Sequence, residues 1–289
     1  MADAFVLFIQ GFSFKDQIEN KKIDNAMERA LRTAASGMFA QQLNIDVIAH
    51  NLANVNTTSF KRSRAEFQDL MYQILKAPVS ANQNENTQSP GEIQIGTGVQ
   101  VVATLRDFKQ GDLQPTDNPL DVAINGDGFF QVRKPDGTIA YTRDGSFKLS
   151  RDGRLVNSTG YILEPEIIIP ETAVAISISR DGIVEILNSG ETEPVEIGRI
   201  ELVKFVNPAG LRSIGNNLYV ETQASGQPIF GTPGSEGFGE LMQGYLETSN
   251  VDIVEEMVNM IIAQRAYEIN SKTIKTVEEM LQMANNLKR

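Results

Sequence analysis

Cysteine is absent from this 289-residue chain, and histidine occurs once. The first absence excludes disulfides, thiolate nucleophiles and Cys-ligated zinc or iron-sulfur centres together. The second excludes multi-histidine metal sites and leaves His50 as the single imidazole for any Ser-His-Asp arrangement. His50 sits in Ile45-Asp46-Val47-Ile48-Ala49-His50-Asn51-Leu52, where a polar position on a helix accounts for it without catalysis. Tryptophan is missing too, which removes a common sugar platform. No apolar run approaches the ~20 residues that span a bilayer. The nearest, Ala4 to Ile9, has Asp3 before it and lacks a basic flank or a small-residue cleavage site. Neither membrane insertion nor a cleaved secretory leader is expected. Positive charge is scarce as well: 26 Lys+Arg against 37 Asp+Glu give a net charge of -11, a poor match to a phosphate backbone. Nucleic acid is not an expected partner.

What is present points to helices at both ends. From Met27, Leu31, Ala34, Met38, Ile45, Ile48, Leu52 and Val55 recur in steps of three and four, with Gln41 taking one seam position. A second stripe runs through Val251, Val254, Val258 and Ile261. It continues after a one-position slip through Ile262, Ala266, Ile269, Thr273, Met280, Met283 and Leu287. Asn250 or Ser249 is the expected N-cap of this last helix, and Asp252, Glu255 and Glu256 suit its N-terminal dipole. Two seams of this length expose much apolar surface unless covered, and as a lone pair they form only a thin layer, so further neighbours are expected.

Between them, Asp-Gly pairs at 127-128, 136-137, 144-145, 152-153 and 181-182 read as hairpin turns. Phe129 to Val132, Ala140 to Thr142, Phe147 to Leu149, Ala175 to Ile178, Val184 to Ile186 and Ile200 to Val203 read as strands of an antiparallel meander. Ala77 to Pro90, rich in Asn, Gln, Ser and Thr, reads as a polar arm. The expected fold is α+β: long N- and C-terminal helices pairing as a coiled-coil-like unit, with an antiparallel β-rich middle domain. Its segments are 27–76 (helical), 77–110 (arm and connector), 111–245 (β-rich) and 246–289 (helix).

Signals for chemistry are weak. Gly126-Asp127-Gly128 lacks a third glycine where Gln131 stands, so phosphate binding is not expected. The acidic turns at Asp121, Asp127, Asp136, Asp144 and Asp152 match no calcium loop. No carboxylate pair stands out for hydrolysis. The basic run Lys61-Arg62-Ser63-Arg64 reads as a solvated face or a contact with acidic neighbours. No catalytic, cofactor or metal site is therefore expected, and no cofactor. The candidate functional residues are those of the seams, as an interface between identical chains: Leu31, Met38, Ile45, Ile48, Leu52, Val55, Val254, Val258, Ile261, Ile262, Ala266, Ile269, Met280 and Leu287.

Ala35-Ser36-Gly37-Met38-Phe39-Ala40-Gln41-Gln42, followed by Asn44 through Thr57, resembles the N-terminal signature of the bacterial flagellar rod and hook proteins. The resemblance continues through Tyr141-Thr142-Arg143-Asp144-Gly145-Ser146-Phe147, Gln243 through Val251, and Gln264 through Lys272. It covers the chain from Met27 onward and lies nearest to the distal-rod members. It implies a non-enzymatic axial subunit of the basal body: terminal helices stacked as an inner tube, β domains outside, chains arranged helically into a rigid shaft. The implied partners are further copies of itself, proximal rod proteins, the hook protein, the peptidoglycan-ring and outer-membrane-ring proteins, and the flagellar type III export apparatus that carries it out of the cytoplasm to cross the periplasm. The alternatives are a proximal rod or hook subunit of the same family and, outside it, a secreted β-domain binding module or enzyme.

Three departures from the family pattern stand out. His50 replaces the usual Asn. Ser59 stands before Phe60 where Gly is frequent, which matters if that position has positive φ. Residues 1–26 lie outside the pattern, and the apolar run Phe5 to Ile9 would add an exposed patch. The working protein is therefore expected to begin at or next to Met27. The intact mass of the subunit from native basal bodies tests this, and a species carrying Met1 would refute it.

Overall fold

The computed structural model describes residues 2–76, 93–190 and 193–287, and their side chains apart from those of 2–24, 76, 284–285 and 287. The arm expected from Ala77 to Pro90 and the side chain of Leu287 thus lie outside the described residues. The chain divides into two compact units, one of residues 1–49, 64–104 and 257–289, the other of 50–63 and 105–256.

Helix α1 spans Ala2–Ala53 and α2 spans Ile253–Leu287. The first starts well ahead of Met27. Residues 2–26 hold no proline and only Gly11, so no local breaker stops the helix running back through them. It ends where Asn54 to Ser59 offer short polar side chains that compete for the backbone. At the start of α2 the cap is Asp252 rather than Asn250 or Ser249: its Oδ1 accepts the amides of Val254 at 2.8 Å and Glu255 at 3.1 Å. Asn250 is engaged elsewhere. Its Oδ1 accepts the Arg62 amide, and its Nδ2 donates to the carbonyls of Asp107 and Lys109.

The helix unit also carries strands that alternation did not reveal. β1 (Ser63–Asp69) pairs with a later strand, β4 (Val99–Arg106), and β2 (Tyr72–Lys76) forms an antiparallel pair with β3 (Ile93–Gly96). Residues 72–75 and 93–95 are all exposed, so no buried face imposes a two-residue period on them.

In the other unit the strands are β5 (Leu113–Pro115), β6 (Val122–Asn125), β7 (Phe130–Arg133), β8 (Ile139–Thr142), β9 (Lys148–Leu149), β10 (Leu155–Val156), β11 (Ile162–Glu164), β12 (Ala173–Ile178), β13 (Ile183–Asn188), β14 (Val195–Arg199), β15 (Leu202–Lys204), β16 (Arg212–Gly215), β17 (Leu218–Val220), β18 (Ile229–Gly231), β19 (Glu240–Gln243) and β20 (Tyr245–Glu247). A seven-stranded sheet runs in the order β16-β17-β8-β7-β11-β10-β9, and a three-stranded one in the order β12-β13-β14. Three of the Asp-Gly turns close hairpins, β7 to β8, β9 to β10 and β12 to β13. The other two do not. β6 pairs with β19 rather than β7, and Asp144-Gly145 leads from β8 to β9, which among the described residues pairs only with β10. Gly145 is there for close approach, since a Cβ on it would overlap the Val122 carbonyl.

One apolar core gathers Ile124, Phe130, Phe147, Leu163, Ile186 and Leu202 among others. A second is aromatic, Phe129, Tyr141, Phe205 and Tyr219 in edge-to-face contacts, with Tyr141 and Phe205 at 4.8 Å between centroids.

Candidate assembly interface and the polar cluster at the helix roots

The seam residues do not share one environment. In α1, Ile48 is buried and Leu31, Met38, Ile45 and Leu52 are half-buried, as is Val55 in the turn just beyond it. In α2, Val254, Val258, Ile261, Ile262, Ile269 and Met280 are exposed and Ala266 is half-buried, with Ile261, Ile262 and Ile269 at 57%, 61% and 65%. The face that α2 shades is a different one. Met260, Ala263, Tyr267, Asn270, Ile274, Val277 and Leu281, spaced by alternating steps of three and four, are all buried or half-buried. On α1 the same spacing joins Met27, Ala30, Ala34, Gly37, Gln41, Asn44 and Ile48. A Cβ on Gly37 would come within 2.9 Å of Asn270 Nδ2, so the shaded face of α1, with Ala30, Ala34, Gly37, Gln41 and Asn44, is one of small and polar residues in close approach. Hydrophobic periodicity follows large apolar side chains and passes over such a face.

At the helix roots lies a polar cluster that the sequence pattern left unassigned. The carboxylate of Glu247, fully buried, accepts Lys61 Nζ at 2.7 Å and Arg143 Nε at 2.8 Å, and also the amide of Gly111. Lys61 is equally buried and donates a further bond to the Lys109 carbonyl. Arg143 spends its remaining donors on the carbonyls of Gly128, Ile124 and Gly126. Beside it, Arg62 pairs with Glu255 and with the buried Glu256, whose other oxygen accepts Asn51 Nδ2 at 3.1 Å. Asn51 also exchanges two bonds with the backbone of Ser63.

The charges tune one another. Burial, reinforced by the Arg143 guanidinium, pulls Lys61 down to about 8 against the opposing pull of Glu247. Burial alone would raise Glu247, but the charges and hydrogen bonds of Arg143 and Lys61 outweigh it and hold the carboxyl below its usual range. The basic run at 61–64 therefore does meet acidic neighbours. Lys61 and Arg62 do so inside the fold, and Arg64 reaches the exposed Glu66. Arg143, Glu247 and Asn250 all lie within the segments that carry the family resemblance, which was the one signal available for them.

Ser59 has φ of 54°, the left-handed region, and is buried with its hydroxyl donating to the Arg143 carbonyl at 2.9 Å. Ser59→Gly is expected to leave stability within about 1 kcal/mol, because relieved backbone strain offsets the lost hydrogen bond. Ser59→Val, strained and unable to donate, is expected to cost more than ~2 kcal/mol. Urea unfolding of both variants checks the pair. His50 is exposed, its ring 5.5 Å from that of Phe60.

Three family models match the chain: the flagella basal body rod protein over residues 31–61, the flagellar hook protein FlgE/F/G D1 domain over 123–186, and the flagellar basal body rod FlgEFG protein C-terminal over 242–287. Lys61, Arg143 and Glu247 fall one in each matched segment. The flagellar basal-body rod protein FlgG of Borreliella burgdorferi is 56% identical over 265 residues, 91% of this chain and 100% of the relative. The chain belongs to the flagellar basal-body rod proteins. Two relatives from Bacillus subtilis grade the likeness: FlgG is 41% identical over 269 residues, whereas the flagellar hook-basal body complex protein FlhP is 30% identical over 274. Each covers 91% of this chain and 100% of the relative. This rod protein is thus a structural subunit of the flagellum, and its place is the basal-body rod.

Proposed function

We propose that this rod protein polymerises helically into the distal rod, a stiff shaft that carries motor torque to the hook, with no catalytic step of its own. The observation that supports it best is the free apolar face of α2. Ile261, Ile262 and Ile269 are more than half exposed in the single chain, and a monomer gains nothing by leaving such a stripe in water. In this reading α1 and α2 pair as a coiled-coil-like unit along their shaded faces. The outer stripe, with Leu31, Met38, Ile45, Leu52 and Val55, then meets neighbouring copies. The segments 27–76 and 246–289 supply the polymer core and 111–245 its β layer, with 77–110 as the arm and connecting segment. Further partners are the proximal rod, the hook, the two rings around the shaft, and the export apparatus.

Purified protein at high concentration is expected to form straight helical fibres by electron microscopy, and protein that stays monomeric at every concentration would count against the proposal. The second reading, a proximal rod or hook subunit, is separated by gold labelling of a tagged chain in isolated basal bodies. The label should lie between the proximal rod and the hook.

A further inference from the structure

Asn125-Gly126 is the one Asn-Gly pair in the chain. Such a pair carries latent chemistry. The glycine has no side chain to crowd its own backbone nitrogen, which can attack the asparagine side-chain amide and close a succinimide ring. The Asp-Gly pairs of the chain are weaker substrates for the same attack, because an ionised carboxylate is a poorer electrophile than an amide. At Asp136, hydrogen bonds from the hydroxyl and amide of Thr138 hold the carboxyl below its ordinary range.

Asn125 ends β6 and its side chain is exposed, so water reaches it. Both reacting groups are nonetheless engaged by a single neighbour. The Gly126 N–H donates to Gln110 Oε1 at 2.8 Å, and Gln110 Nε2 donates to Asn125 Oδ1 at 3.3 Å. Gln110 is itself set in place from either side. The Lys109 carbonyl accepts Lys61 Nζ and Asn250 Nδ2, and the Gly111 N–H donates to Glu247. The peptides around Asn125 are held as well: Arg143 Nη2 donates to the carbonyls of Ile124 and Gly126, and Asn125 lies opposite Glu240 of β19.

We propose that Asn125-Gly126 is a deamidation site and that Gln110 is the positioning residue that keeps it closed. In the reaction the Gly126 nitrogen gives up its proton and bonds to Asn125 Cγ, the Cγ–Nδ2 bond breaks, and Nδ2 leaves as ammonia. Water then opens the ring at either carbonyl, to aspartate or to isoaspartate. Attack requires the Gly126 N–H to leave Gln110 and the Asn125 amide to turn onto that nitrogen, so both bonds to Gln110 must break first. Isoaspartate would route the backbone through the side-chain methylene and carry the Gly126 carbonyl off Arg143. Gln110 thus shields the root cluster from a change in its neighbouring strand.

The test is incubation of the purified full chain at mildly alkaline pH, followed by peptide mapping in a mass spectrometer. Gln110→Ala removes an exposed side chain and should melt like the parent. Its peptide holding residue 125 is expected to gain about 1 Da, as ammonia is lost and water taken up, roughly tenfold faster than in the parent. Asn157, followed by Ser158, is the internal control. It is buried, and its Oδ1 accepts bonds from Thr159 and Tyr161, so its rate should not change. Parent chain unfolded in guanidinium should react at residue 125 faster than folded chain does. An unchanged rate in Gln110→Ala, an equal rise at Asn157, or a folded parent as reactive as the unfolded one would each overturn the assignment.

Discussion

Glu247→Ala is expected to destabilise the β unit by ~3–5 kcal/mol, because it strands two buried cations, Lys61 and Arg143, without their common partner. That is a large part of the stability of an ordinary domain. Denaturant titration should show the loss, and Glu255→Ala, which removes an exposed carboxylate facing Arg62, should change stability by no more than ~0.5 kcal/mol. A Glu247→Ala protein that unfolds like the parent would mean the cluster is not a structural tie. The pH dependence follows from the directions of the shifts. Glu247 is held below its ordinary value, so its contribution is fully present above about pH 4.5 and is lost as pH falls through the folded value. Lys61 is lowered from 10.5 to about 8, so between those values the unfolded chain binds more protons and stability attributable to Lys61 rises with pH. Lys61→Met should abolish that alkaline rise, which a plot of unfolding free energy against pH would reveal.

Ile261→Asp should stop polymerisation and motility while leaving the melting of the monomer nearly unchanged. The side chain is exposed in the single chain, where an added charge costs little. Once a neighbour covers it, an unpaired carboxylate costs several kcal/mol. Val277→Asp supplies the contrast. Val277 is only 5% exposed, and its replacement should unfold the helix unit itself. Circular dichroism melts with sedimentation of polymer separate the two outcomes. A swimming Ile261→Asp strain would remove the α2 stripe from the interface. A strain made motionless by a chain that no longer folds would place Ile261 in the monomer's own core.

The helices, the β-rich middle and most of its strands were legible because they rest on local rules: apolar residues at helical spacing, Asp-Gly at turns, β-branched runs between them. The hairpin at Asp136-Gly137 needed nothing more. Asp144-Gly145 looked the same, yet its glycine answers to Val122, more than twenty residues away in the chain, and no local pattern holds that information. The strands Tyr72–Lys76 and Ile93–Gly96 were missed for the opposite reason: with no buried face they have no period to read.

By itself the sequence determined the composition limits, the element types and, through its motifs, the family. It could not say which stripe of α2 is shaded, because Met260, Ile274, Val277 and Leu281 recur at helical spacing as Val254, Val258, Ile261 and Ile269 do, and only packing chooses between two apolar stripes. Nor could it join Lys61, Arg143 and Glu247. Each is an ordinary polar residue in its own neighbourhood, and only when the chain folds do 186 positions between Lys61 and Glu247 close to 2.7 Å. Burial then turns three surface-type charges into one coupled cluster, since the strength of a charge pair depends on the water that tertiary packing excludes.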